Sequence, residues 1–488
     1  MSQEREVKAM SLIQDDAEHV PLKLKLCLSI GSFANSMLSV FAMANITFYY
    51  EEKLLLSKTL VGLAWIIFAA WNTINDPLFA YIIDNTRTRL GRRIPYVRYV
   101  GLCYGAAFIF CWFPIAQIGD QIGLFFNLLA ALSLLDTGYT ILSSCFFALP
   151  KEIVVTAVQR SSLAVWMSLA DFVNIGAGVV LGIVFLTGQG SINPIFQPFM
   201  VLVGIAGSLL LFTTSFGLKE NMSAQEQSKE SFVVSFKTTL KNKPFWIVMI
   251  PGFVFSIIVP LMQTGVLYYI NYVIPGQNYL PIAGGFAIGI LAGLFLSPKF
   301  IKKWQPKRIA IMTFYFMAAT FIAIFITGKN STIAAFPFGF FGFELANSGV
   351  VTAVIMGDVI DNDELITGKR RETIYGGVYA VISKPGLSIA NWAFLTIINV
   401  FGFLSPVQSG DVPVKQAQSE LAITGILIAI CLIPAIGMLI SAIVARWYTL
   451  DGAEWLKKKE FIRESHEKKE KEFLATLEKN RLTQDQPK

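Results

Sequence analysis

Apolar residues in this chain do not recur every third or fourth position. They come in runs of about 20, the length at which a helix crosses the hydrocarbon core of a bilayer. Cutting the sequence at its charged or Pro/Gly-rich breaks predicts spans near 24–48, 59–84, 97–117, 123–149, 161–186 and 194–217. A polar interval follows at 218–242, and then spans near 244–274, 279–298, 308–328, 332–358, 373–403 and 419–447. The pattern predicts an all-α integral membrane protein with twelve transmembrane helices in two six-helix bundles. The bundles run 24–217 and 243–448, with a polar segment at 1–23, a cytoplasmic linker at 218–242 and a charged tail at 449–488. Unbroken apolar runs exclude an outer-membrane barrel, whose strands alternate. The first run is long enough to remain as a span, so no cleaved signal is expected.

Composition agrees, with 54% hydrophobic and 15% charged residues. The net charge of +7 does not point to nucleic acid, because cytoplasmic loops of membrane proteins collect Lys and Arg. With the N-terminus inside, the inner loops hold nineteen Lys and Arg, among them Arg87, Arg89, Arg92, Arg93, Lys299, Lys302, Lys303, Lys307 and Arg308. The outer loops hold four: Lys53, Lys58, Lys329 and Lys415. Both termini are therefore expected in the cytoplasm of a multi-pass cell-membrane protein. The basic loops after the second and eighth spans occupy equivalent places, a weak internal repeat of the kind that relates two six-helix halves. The five cysteines lie in apolar runs without metal-ligand spacing and read as packing residues. The tail, with ten Lys/Arg and nine Asp/Glu, reads as a solvated or surface-lying helix.

An ionised group near the bilayer centre costs at least about 2.5 kcal/mol, so each needs a partner, a wet cavity or a task. Asp76, Asp136, Asp171, Glu344 and Lys384 all fall inside predicted spans. Asn72, Asn75 and Asp76 share one helix face, and Asp136, Thr140, Ser143 and Phe147 form a stripe on another. These oxygens suit a hard cation such as Na⁺, or they act as hydrogen-bonding glue between helices. His19 and His466 lie outside the spans, so protons, if coupled, must ride on carboxylates. Lys384 is followed by Pro385 and Gly386, which free backbone carbonyls in mid-helix, and its simplest role is counter-charge to Asp76 or Asp136 across the two halves. Phe147, Trp71, Tyr375 and Tyr379 are candidate aromatic walls for a sugar face. No nucleophile–base pair or metal-ligand cluster is visible, so no enzymatic activity and no cofactor are expected.

The segment Trp71-Asn72-Thr73-Ile74-Asn75-Asp76-Pro77, followed by Asp84 and by Thr86 to Pro95 (TRTRLGRRIP), resembles the glycoside–pentoside–hexuronide:cation symporters. These form the melibiose-carrier branch of the major facilitator superfamily. Tyr139-Thr140-Ile141, Lys237 to Phe245, Gly357 to Asp361 with Glu364, and Ser383-Lys384 extend the resemblance over residues 24–448. It implies two bundles around a cavity that opens alternately to each side. It further implies that Asp76, Asn75 and Thr140 belong to a cation site faced by Lys384, and that Asp358, Asp361 and Glu364 with Arg160 and Arg370 form a cytoplasmic lock. The family's other second-span aspartate is Asn72 here, and its sugar-binding charges are replaced by Asn35, Ser36, Ser143 and Ala164. Asp136, one turn from Thr140, stands where it can restore the missing carboxylate. The resulting expectation is Na⁺- or H⁺-coupled symport of a sugar, glycoside or related polar solute by a monomer in membrane lipid. A lysolipid-type symporter and a transporter-like sensor that binds without translocating are the alternatives.

Overall fold

The computed structural model describes residues 22–153, 167, 173–174, 176–188, 192–218, 238–274, 276, 278–368, 371–409, 412–462 and 464. Helical segments appear at each of the twelve predicted spans: α1 Leu22–Lys53, α2 Lys58–Asn85, α3 Tyr96–Phe110, α4 Gln121–Ile153, α5 Gly176–Leu186 and α6 Phe196–Thr214. The second set is α7 Lys243–Val273, α8 Leu280–Lys303, α9 Pro306–Thr327, α10 Ser331–Thr367, α11 Ile374–Val400 and α12 Glu420–Ala445. Among the described residues, ten of these are long and apolar enough to cross a membrane. A short antiparallel hairpin, β1 Val407–Ser409 with β2 Val412–Val414, lies between α11 and α12. Residues 452–462 form a last helix, α13.

Local chemistry sets many of the ends. Ser57 caps α2 by accepting from the Leu60 N–H, and Ser419 caps α12 by accepting from that of Ala422. Asn330 caps α10 through two backbone N–H groups, while Gly368, at φ 70°, ends that helix in the left-handed region where a β-carbon is unfavourable. Pro385 has no N–H to donate, so the ladder of α11 breaks beside Lys384.

Several boundaries differ from the sequence expectation: α3 ends at Phe110, seven residues short of 117, and α4 and α8 run on to Ile153 and Lys303, so Lys299, Lys302 and Lys303 lie on a helix and not in a loop. The first span does not stop at 48 but continues through a π-helical turn, Tyr49–Lys53, that buries Glu51, Glu52 and Lys53. Lys53, expected in an outer loop, is only 5% exposed. The tenth helix runs nine residues past 358, so Asp358, Asp361 and Glu364 occupy its final turns and not a loop.

Helix α2 packs against α4 and, from the other half of the sequence, α11; α1 packs against α4, α6 and α7. The tightest seam joins α8 to α10. A β-carbon on Gly289 would fall 1.8 Å from the Gly339 carbonyl oxygen, and one on Gly285 would fall 2.2 Å from that of Ala335. The two backbones touch there, which only glycine allows.

Candidate functional site

Helices α2 and α11 run antiparallel, which brings Asp76, nine residues from the end of α2, level with the break in α11. The Lys384 ammonium lies 2.5 Å from Asp76 Oδ1, and donates to Thr140 Oγ1 at 3.1 Å and to Asn75 Oδ1 at 3.3 Å. One cation from the C-terminal half thus has its three donors on three oxygens of α2 and α4. Asn75, fully buried, uses its other end to donate to the Asp136 carboxylate. The sequence-predicted groups Asp76, Asn75, Thr140, Asp136 and Lys384 are therefore brought into one connected network. Asn72, one turn outward on α2, is buried, and its Oδ1 has no partner among the described residues.

The remaining predicted groups surround this hub unevenly. Ser143 donates to the Thr140 carbonyl of its own helix. Asn35 on α1 is buried, its Oδ1 has no partner among the described residues, and its carbonyl accepts from Tyr104 at 3.1 Å; Ser36 is half-buried. Tyr379 on α11 covers Gly252 of α7, and Tyr375 accepts from Asn242 at 2.6 Å. Trp71 donates to Thr137 at 3.2 Å. On the α4 stripe Asp136 and Thr140 are buried, whereas Phe147 is 54% exposed, and its ring edge approaches Gly376 of α11. The side chains of Asp76 and Lys384 keep 24% and 19% of their surface open.

Of the expected lock, Arg160, Arg370 and also Asp171 and Ala164 lie outside the described residues. Asp358 is buried at the foot of α10, where it accepts from Tyr448 at 3.1 Å and from Lys459 of α13 at 2.5 Å. Burial and the Asp358 carboxylate beside it push the Tyr448 hydroxyl pKa upward. Asp361 and Glu364 each have interactions within the structure. Asp363, not singled out before, is buried in a bidentate pair with Arg371 at 2.8 and 2.5 Å.

A second polar network, missed from sequence, joins the halves at the end where α1 stops and α2 begins. Tyr268 of α7 donates to Glu51 at 3.0 Å, and Tyr272, one turn on, donates to Glu52 at 2.7 Å. Ser405 donates to Glu51, and Lys58 donates to the Phe403 carbonyl. Beneath them Asn391 of α11 accepts from Thr47 of α1 at 2.7 Å and from Thr264 of α7 at 2.8 Å. Lys415 donates to Asn271 and lies 5.3 Å from the centre of the Tyr272 ring, where burial pushes its pKa down to about 8. The only sequence signal was a Tyr-Tyr-Glu-Glu string continuing an apolar run without a turn residue.

A helical membrane protein whose halves meet through a half-buried ammonium and a set of oxygens has the architecture of a major facilitator. The family described as MFS/sugar transport protein matches residues 27–452, and the chain belongs to it. It is 24% identical to the inner membrane symporter YicJ of Escherichia coli strain K12, over 89% of this chain and 93% of that protein. It is 20% identical to the isoprimeverose transporter of Lactiplantibacillus pentosus, over 89% of this chain and 90% of the relative. Among solved structures it resembles a D-xylose–proton symporter, with a TM-score of 0.63 and 12% identity over 88% of this chain and 97% of that one. That last likeness concerns the fold.

Proposed function

We propose that the protein is a cation-coupled symporter that carries a sugar, glycoside or related polar solute by alternating access. The observation that carries this reading is Lys384, whose ammonium occupies the oxygens of Asp76, Asn75 and Thr140. A Na⁺ ion or a proton arriving at Asp76 competes for the same oxygens, so loading the cation loosens a tie between the halves. Solute binding in the same state then favours cation binding, and the reverse holds by linkage. In this reading Asn72 and Asp136 complete the cation site, Asn35, Ser36, Ser143, Phe147 and Tyr379 meet the solute, and Asp358, Asp361 and Glu364 with Arg160 and Arg370 act at the cytoplasmic gate. The moving bodies are residues 24–217 and 243–448, joined by the 218–242 linker, in a plasma-membrane monomer with both termini inside and no enzymatic activity. Bonds donated by Tyr268, Tyr272 and Ser405 to Glu51 and Glu52 seal the outer face, and the exposed Phe147 beside α11 supports a cavity that opens inward.

The family's description as sugar transport and the isoprimeverose transporter among the relatives favour a sugar or glycoside. A second reading, a lysolipid-type solute, is favoured by an apolar crevice between α5, α7, α8 and α10, lined by Val179, Ile183, Met262, Val266, Phe286 and Phe338. Counterflow in proteoliposomes against sugars, glycosides and lysolipids, with and without Na⁺ and a pH gradient, separates them. Sugar uptake that needs a cation gradient supports the main reading. Lysolipid uptake selects the second, and saturable binding with no flux selects a sensor.

A further inference from the structure

Glu344 stands midway along α10, 5% exposed, and belongs to neither network above. Its Oε1 accepts one bond, from Thr320 of α9 at 3.3 Å, and its Oε2 has no partner among the described residues. Asn347, one turn further on the same face, is also 5% exposed. Its Nδ2 donates to Thr313 Oγ1 at 2.6 Å, which leaves its Oδ1 without a donor. Two bare acceptor oxygens thus sit on one face of a membrane helix, where an unsatisfied polar atom is costly.

Two acceptors cannot satisfy one another; each lacks a hydrogen. A single proton on Glu344 Oε2 removes the charge and turns that oxygen into a donor, with Asn347 Oδ1 as an acceptor one turn away. No cationic side chain fills this role among the described residues. Tyr448, and Lys459 of α13, bond to α10 only at its foot, on Asp358, and the transmembrane helices packed most closely against it are α7, α8 and α9. Their Lys and Arg, Lys243 on α7, Lys299, Lys302 and Lys303 on α8, and Lys307 and Arg308 on α9, stand near the cytoplasmic ends. Lys307 is thirteen positions from Thr320, about 20 Å along the helix. Tyr315 on α9 and Tyr268, Tyr269 and Tyr272 on α7 are the other titratable groups of these helices at membrane depth, and the acids of α10 itself, Asp358, Asp361, Asp363 and Glu364, lie four or more turns below.

We propose that Glu344 and Asn347 form a proton-binding site in the C-terminal half, distinct from the Asp76–Lys384 hub. The proton comes from water and forms an O–H bond on the carboxyl; no other bond breaks. The site holds whatever solute the protein carries, because it rests on the α9–α10 contact alone.

Infrared spectra of the purified full chain in liposomes test it directly. The wild type at neutral pH is expected to show a protonated-carboxyl C=O band that Glu344→Gln lacks and that alkaline titration removes. Asn347→Leu is expected to retain the band at a shifted frequency, since its acceptor is gone. Glu344→Gln, isosteric with the protonated form, is expected to fold as the wild type does. If the neutral-pH spectra of wild type and Glu344→Gln match in this region, the site does not hold a proton and the proposal is overturned. A carboxylate band that shifts with added Na⁺ and is absent from Glu344→Gln overturns it too. Neither readout depends on transport, so failure of the symport reading leaves this test intact. Should Glu344→Gln not fold, Thr320→Val serves in its place: a retained, displaced band supports the site, and an unmoved one overturns it.

Discussion

The Lys384 ammonium has three hydrogens and finds three oxygens, so each partner it loses leaves a half-buried charge short of a bond. Breaking a fully buried pair from one side costs about 3–5 kcal/mol, and the partial opening of this one to solvent lowers that cost. Asp76→Asn and Lys384→Met are each expected to lower thermal stability and to cut cation-driven uptake at least tenfold. The double variant is expected to regain stability but not uptake, which thermal unfolding and flux on the same preparation will show. Asp136→Asn tests a separate point, because its carboxylate accepts from Asn75, while the Lys384 ammonium bonds to Asp76, Asn75 and Thr140. A loss of cation dependence is expected, and unchanged dependence removes Asp136 from the cation site. This hub was legible in the sequence for a physical reason: a carboxylate and an ammonium inside apolar runs each require a partner. Glu51 and Glu52 were not legible, because an acidic pair at the end of a run reads as a loop, and their partner Tyr268 lies 217 residues from Glu51.

At the scale of elements, run length located the twelve helical segments but not their ends. A π-helical turn carried α1 five residues beyond its apolar run, and the polar last turns of α10 continued past 358. Both extensions are held by tertiary bonds, from Tyr268 and Tyr272 in one case and from Tyr448 and Lys459 in the other, which no local pattern encodes. The α8–α10 seam makes a sharper prediction. Gly289→Val places a branched side chain against the Gly339 backbone, an overpacking worth about 1–3 kcal/mol or more. A clear fall in melting temperature is expected, and Gly284→Val, which meets nothing within 4 Å, is expected to be mild by comparison.

At the scale of the whole molecule, the network of Glu51 and Glu52 joins the two halves through phenols, carboxylates and amides, and in the proposed cycle it is the outer seal. Tyr268→Phe together with Tyr272→Phe is expected to open that face and raise labelling of Ser143→Cys by a membrane-impermeant thiol reagent applied outside. Unchanged labelling relative to Ser143→Cys alone argues against the seal. The closed face also carries a pH signature. Burial in this state holds Lys415 at about 8, below the ordinary lysine value of 10.5. An opened, solvated Lys415 binds more protons between those values, so raising pH through that window favours the closed face. Outward-opening measured by the same labelling is expected to decline across that range, and Lys415→Met is expected to flatten the decline.

The direct backbone contact of α8 with α10 has a practical use for anyone who measures motion in this protein. With no side chain between Gly289 and Gly339 to change rotamer, that contact cannot lengthen by small adjustments. Spin labels on the outward surfaces of these two helices should report one constant distance throughout the cycle, an internal fiducial against which every other pair is calibrated.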